Sequence, residues 1–258
     1  MLRPRIIPCL LVHKKGLVKT TKFKDPKYVG DPINAVKIFN EKEVDELMLL
    51  DIDASFENRE PDFTLIKNIA AECRMPFGYG GGVKTVEQAR EIINLGAEKV
   101  AISTTAIENP IIIPAMARAI GTQSVVVIID VKKVGLLGKY EVVYHNGKKN
   151  TGKNPIEFAK SLEKLGVGEI IINSVDKDGT MEGYDLKLIK SIREAISVPM
   201  SVLGGAGKLD DIKELIDNFG VIGASAGSLF VFKGKYRAVL INYPNNQEKL
   251  ELLKNYIN

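Results

Sequence analysis

The sequence predicts an α/β protein of the (βα)8-barrel class, built from two similar half-barrels. The first observation is an alternation. Eight short runs rich in aliphatic residues, at 5–12, 46–52, 76–79, 99–103, 124–130, 169–173, 199–203 and 222–226, alternate with amphipathic stretches such as 33–42, 86–95, 156–165 and 186–195. Several runs are apolar throughout, the pattern of parallel strands covered on both faces. The second observation is an internal repeat. Displaced by nearly half its length, the chain lays Pro32-Ile33 on Pro155-Ile156, Glu46 on Glu169, Asp53 on Asp176, Pro76 on Pro199 and Gly81-Gly82 on Gly204-Gly205. A doubly wound open sheet would satisfy the alternation but gives no reason for two matching sets of four strands. The barrel gives one. We therefore expect a single domain over residues 1–258, with half-barrels at 1–122 and 123–245 and a closing helix at 246–258.

Composition narrows the class. With 45% hydrophobic and 26% charged residues, the 258-residue chain reads as an ordinary globule large enough for one barrel core. A net charge of +4 suits small anionic ligands and is too mild to point to nucleic acid. Cys9 and Cys73 make no disulfide framework and fit a reducing compartment. No apolar run approaches the ~18 residues of a membrane span, and the first five residues lead into a strand without a signal-peptide layout. The expectation is a cytoplasmic protein with no leader, no membrane and no nucleic-acid partner.

In a barrel, the loops after the strands form the catalytic mouth. The segment 12–28 follows the first strand and carries Lys14, Lys15, Lys19, Lys22, Lys24 and Lys27, either as a cationic mouth loop or as a solvated charge run. Gly80-Gly81-Gly82 follows the third strand and Gly204-Gly205-Ala206-Gly207 the seventh, with Ser103-Thr104-Thr105 and Ala226-Gly227-Ser228 in the next loops. Glycine lets backbone N–H groups approach an anion and a following helix offers its positive end, so the pair suits a ligand with phosphate at both ends. Tight turns use glycine as well. Asp51, Asp53, Asp130, Asp176 and Asp178 lie at strand ends, as acid–base groups or as loop caps. Asp130 is favoured because it ends the apolar run 125–129, where an ionisable group must face a site or be paired. The repeat places Leu11 opposite it, and leucine exchanges no proton.

A second set lies at the other end. Arg5, Glu46, Lys99 and Glu169 open or precede strands one, two, four and six, so they belong at the barrel bottom. Two positive and two negative charges there make either a stabilising plug or a seal that passes a small neutral molecule. The segment 139–149, with Asn146-Gly147, predicts a hairpin after the fifth strand. His13 and His145 are isolated, and no spacing suggests a metal site or a cofactor.

Several of these motifs, in order from Arg5 to about Phe232, resemble the cyclase subunit family of imidazole glycerol phosphate synthase. They are Arg5-Ile6-Ile7-Pro8-Cys9-Leu10, Gly30-Asp31-Pro32, Gly80-Gly81-Gly82, Glu108-Asn109-Pro110, Asp176-Lys177-Asp178-Gly179-Thr180 and Gly204-Gly205-Ala206-Gly207. The resemblance implies a barrel that docks a separate glutaminase subunit on its bottom face and passes ammonia to a bisphosphorylated substrate at the mouth. It implies an ammonia gate at Arg5, Glu46, Lys99 and Glu169, and phosphate contacts at Gly82, Thr104, Gly179, Gly205 and Ser228, with Gly227 beside them. Lys19, Asp51 and Asp178 are further mouth residues, and Asp130 matches one of two catalytic aspartates. Leu11 stands in place of the other, and Leu203 in place of a serine at the seventh strand end. Pro8-Cys9-Leu10-Leu11, Lys24-Asp25-Pro26-Lys27-Tyr28-Val29-Gly30 and Gly227-Ser228-Leu229-Phe230-Val231-Phe232 are still more similar to a paralogous group associated with sugar amidotransferases in bacterial glycan pathways. That resemblance implies ammonia supply for converting an N-acetyl sugar to an acetamidino sugar. The alternatives are the cyclase of histidine biosynthesis, a lyase, and a scaffold that only activates a glutaminase.

Overall fold

The computed structural model describes residues 3–256. Eight parallel strands close into a barrel: β1 (Arg5–His13), β2 (Leu47–Asp51), β3 (Phe77–Gly80), β4 (Lys99–Ile102), β5 (Val125–Val134), β6 (Glu169–Ser174), β7 (Met200–Leu203) and β8 (Gly223–Ala226). Each strand pairs with its sequence neighbours, β8 returns to β1, and the β5–β6 ladder completes the ring. The helices α1 (Pro32–Glu41), α2 (Phe63–Glu72), α3 (Val86–Asn94), α4 (Ile112–Ile120), α5 (Pro155–Lys164), α6 (Leu186–Arg193), α7 (Leu209–Phe219) and α8 (Asn246–Leu253) follow the strands in turn.

Local chemistry sets the helix starts. Asp31 and Asn154 cap α1 and α5 by accepting hydrogen bonds from backbone amides of the first turn, and Pro32 and Pro155 occupy the first helical positions. Thr85 and Gln88 form a reciprocal capping box at α3. The ladder registers also match between halves. Leu47 faces Phe77 as Ile170 faces Met200, and Leu11 faces Leu50 as Asp130 faces Asn173.

Strand alternation divides the apolar residues into two cores. Ile6, Leu10, Val12, Val125, Val127 and Ile129 point outward and pack with helix residues such as Val36, Phe39, Ile66 and Leu162. Ile7, Cys9, Met48, Ala101, Val126, Ile128, Ile171 and Leu203 fill the inside of the barrel, with Leu11 and Leu50 above them.

Three details differ from the sequence reading. The segment 12–28 is an antiparallel hairpin rather than a loop: strand Gly16–Thr21 pairs with the end of β1 and with strand Lys24–Gly30. Leu17 to Thr20 are all buried, Lys19 among them, so the charged residues gave no apolar alternation that would mark the strand. Glu46 lies just before β2. The closing helix ends at Leu253 instead of running to 258, because Lys254 and Asn255 face solvent and leave nothing to bury; residues 257 and 258 lie outside the described residues. The expected hairpin after β5 is present, formed by the end of β5 with Lys139–Tyr144 and Lys149–Asn150.

Phe39 is wholly buried between α1 and the outer face of the barrel. Phe39→Ala is expected to cost about 3–5 kcal/mol in urea denaturation; a loss below ~1 kcal/mol would mean that this layer does not carry the stability assigned to it.

Candidate active site and barrel floor

Parallel strands put all their C-terminal ends on one face, and two adjoining cavities open there. The larger, about 970 Å³ including its open mouth, is lined by residues that include Leu11, Asp51, Gly82, Thr104, Asp130 and Asp178. The smaller, about 390 Å³, is lined by Lys19, Gly179, Gly205, Gly227 and Ser228 among others. Leu11, Asp178 and Leu203 line both. The sequence-predicted mouth residues are therefore together, divided between two neighbouring hollows.

Asp130 ends the inward-facing series Val126, Ile128, Asp130 on β5. Asn173 Nδ2 donates to Asp130 Oδ1 at 2.8 Å. Burial raises the Asp130 carboxyl to a pKa of about 7; the Asn173 hydrogen bond opposes the shift and the nearby Asp178 charge adds to it. Around it stand Leu11, Leu50, Ile128 and Leu203. Ser103 Oγ and Asn173 Oδ1, both from cavity-lining residues, are buried without a hydrogen-bond partner among the described residues. Such atoms cost free energy unless something polar meets them.

The other acids are mostly engaged. Asp51 Oδ1 accepts from the amides of Asp53 and Ala54, at 3.0 Å each, and so holds the loop after β2. Asp53 accepts from Lys14 N at 2.9 Å and Asp176 from Lys133 N at 2.7 Å, the same role in each half. Asp178 Oδ2 accepts from Thr20 Oγ1 at 2.7 Å and Phe23 N at 3.0 Å, which fastens the β1 hairpin over the mouth. Burial raises the Asp178 pKa, against the hydrogen bonds from Phe23 and Thr20 and the Lys19 charge.

Of the six hairpin lysines, five are exposed and only Lys19 is buried. Its Nζ donates to the Cys9 carbonyl at 2.5 Å and lines the smaller cavity beside Gly227. Burial lowers its pKa, which Cys9 and Asp178 partly offset. Five of the lysines thus fit the solvated charge run, and Lys19 alone of the six turns toward the mouth. Sequence reasoning missed the aromatic cover: Phe23 from one hairpin and His145 from the other, with Phe56, line the larger cavity. The signal available was the single exposed-looking Phe23 between lysines.

The glycine pairs have a packing reason as well. A Cβ on Gly81 would lie 2.5 Å from the Asp51 carbonyl oxygen, and one on Gly204 would lie 2.7 Å from that of Ser174. Both have φ in the left-handed half of the map. Gly82 N donates to Ser55 Oγ at 3.2 Å. Thr104 opens the short helix Thr104–Glu108 and Ser228 opens Ser228–Val231, and first-turn amides have no acceptor within their own helix.

At the opposite end, the four predicted floor charges form one closed set. Arg5 donates to Glu46 and, at 2.7 Å, to Glu169; Lys99 Nζ donates to Glu46 at 2.7 Å and to Glu169 at 2.8 Å. Each carboxylate thus receives both cations. Burial alone would raise Glu169, but Arg5 and Lys99 outweigh it and hold its pKa at about 2. Between floor and mouth the barrel interior is the apolar cluster of Ile7, Cys9, Met48, Ala101, Val126, Ile128 and Ile171.

Among the described residues, no helix is long and apolar enough to cross a membrane, and no group of three or more His, Cys, Asp or Glu side chains could hold a metal ion.

The family model described as histidine biosynthesis protein matches residues 5–237. The chain is 58% identical to the putative imidazole glycerol phosphate synthase subunit HisF of Leptospira interrogans, over 96% of this chain and 98% of the relative. It is 56% identical to the putative subunit hisF3 of Vibrio vulnificus, over 98% of each. It is 41% identical to the imidazole glycerol phosphate synthase subunit HisF of Alkaliphilus metalliredigens, over 89% of this chain and 91% of the relative.

A pKa near 7 for Asp130 lies above the ~3.9 of an unfolded aspartate, so the folded state binds the extra proton between those values. Its contribution to stability is full below pH ~4 and is lost as pH rises through about 7. The urea midpoint should therefore fall between pH 5 and pH 8, and fall less in Asp130→Asn; equal slopes would refute the shifted carboxyl.

Proposed function

The chain belongs to the histidine biosynthesis protein family, and on that premise we propose that it is the ammonia-receiving barrel subunit of a synthase of the imidazole glycerol phosphate synthase type. A separate glutaminase subunit docks on the floor side, and a phosphorylated small molecule binds at the mouth. The observation that carries this reading is the line from the closed ion quartet, through an apolar interior, to Asp130 with its pKa near 7.

Each part has a chemical consequence. An apolar tube strongly disfavours ammonium but tolerates neutral ammonia, so the nucleophile arrives deprotonated. Arg5, Lys99, Glu46 and Glu169 would close the tube to water until the partner disturbs them. At the mouth, a carboxyl that is part protonated near neutral pH can take a proton from the attacking nitrogen and return it to a leaving group. Ser103 Oγ and Asn173 Oδ1 offer polar contacts beside it for the reacting part of the substrate. Gly82 and Thr104 would hold one phosphate. Gly179, Gly205, Gly227 and Ser228, with the Lys19 ammonium, would hold the other.

Leu11 supports a second reading. Its register matches that of Asp130, so this pair of strand positions carries one acid where the half-barrel symmetry allows two. In this reading the chain relays ammonia to a sugar amidotransferase that modifies an N-acetyl sugar in glycan biosynthesis. The names of the relatives favour the synthase over this alternative.

Turnover decides between them. Supplied with ammonium and the aminoimidazole carboxamide bisphosphate precursor, the chain should form imidazole glycerol phosphate, and Asp130→Asn should slow it about 100-fold or more. No product from the natural chain, with product from Leu11→Asp, would transfer the assignment to the second reading.

A further inference from the structure

The floor holds a fifth polar group. Ser201, the second residue of β7, is completely buried, and its Oγ donates a short hydrogen bond to Glu169 Oε1 while lying 3.4 Å from Arg5 Nη2. The two halves of the barrel build this layer differently. In the first half Gly78 on β3 faces Lys99 on β4; at the matching step of the second, Ser201 on β7 faces Gly223 on β8. The glycine has therefore changed strands. A Cβ on Gly78 would crowd the Lys99 Cβ, and a Cβ on Gly223 would overlap the Ser201 Oγ. Gly223 thus makes room for the Ser201 hydroxyl, whereas Gly78 makes room for the Met48 side chain and the stem of Lys99.

The result is an uneven quartet. Among the described residues, Glu169 receives Arg5, Lys99 and Ser201, whereas Glu46 receives Arg5 and Lys99 only. If Lys99 leaves, Glu169 keeps two donors and Glu46 keeps one. A buried carboxylate losing a charged donor is costly, so the loss falls harder on Glu46. We propose that Ser201 is a positioning residue: it latches Glu169 to the Arg5 side, so that the floor opens by movement of Lys99 away from Glu169, between β4 and β6, while Glu46 keeps both of its cations. Gly223 is the second half of the device, since its missing side chain lets the hydroxyl reach the carboxylate. The inference rests on the reading of the floor as an ammonia passage.

The test uses the complex with its glutaminase partner and counts imidazole glycerol phosphate formed per glutamine hydrolysed, beside the rate with ammonium chloride. Ser201→Ala is expected to raise glutamine consumed per product about five-fold, the effect of losing one hydrogen bond of ~1 kcal/mol, while the ammonium-driven rate stays within about two-fold. Gly223→Ala, which keeps the hydroxyl but displaces it, should do the same, and Ser201→Thr, which retains a hydroxyl, should stay coupled. Lys99→Ala serves as the control for the floor itself. If Lys99→Ala leaves coupling intact, the passage reading fails and this inference with it. If Lys99→Ala uncouples but Ser201→Ala and Gly223→Ala both remain coupled, the latch alone is overturned. Equal loss of the glutamine-driven and ammonium-driven rates in both variants would assign Ser201 to general stability and overturn it too.

Discussion

The β4–β5 and β8–β1 ladders, which close the two half-barrels into one ring, are the contacts on which the rest of this molecule depends. The pairs from Val100 with Val125 to Ile102 with Val127 on one side, and from Arg5 with Gly223 to Pro8 with Ala226 on the other, join the two halves and leave no edge between them. Once the sheet is closed, every strand has an inside and an outside, and residues two apart share a side. Ile7, Cys9 and Leu11 then line the same tube as Val126, Ile128 and Asp130. Because all eight strands are parallel, closure also gathers their first residues at one end and their last at the other. The ion quartet and the mouth are both products of that geometry.

The two ends use charge in opposite ways. At the floor, four ionised groups satisfy one another in a ring, which is the arrangement that makes burial of Glu46 and Glu169 tolerable. At the mouth, Asp130 has neutral Asn173 as its hydrogen-bond partner and three leucines nearby, so burial wins and the proton is retained to near neutrality. One environment holds a carboxylate ionised; the other holds a carboxyl ready to exchange its proton. The apolar layer between them keeps the two systems apart.

Half-barrel symmetry explains much of the supporting structure and marks where it is broken. Asp53 and Asp176 cap corresponding hairpin amides, and Gly81 and Gly204 let corresponding loops close on the strand before them. The departures include Leu11 against Asp130 at the mouth, and the pair Gly78–Lys99 against Ser201–Gly223 at the floor. Both lie on inward-facing positions, where a side chain meets the whole ring rather than one neighbour.

By itself, the sequence determined the barrel, the order of its strands, the grouping of Arg5, Glu46, Lys99 and Glu169 at one end, and the placement of Asp130 and the glycine loops at the other. These follow from local patterning and from the repeat, which are properties of residues read in order. Only the tertiary structure decided that Lys19 turns inward while five neighbouring lysines stay in water, that Asp178 ties down a hairpin, and that Ser201 joins the floor. In the chain Ser201 is one small polar residue in an apolar strand, 32 positions from Glu169. Its role arises from what β6, β7 and β8 bring to the same layer, and that juxtaposition is set by ring closure and register, which no local pattern encodes.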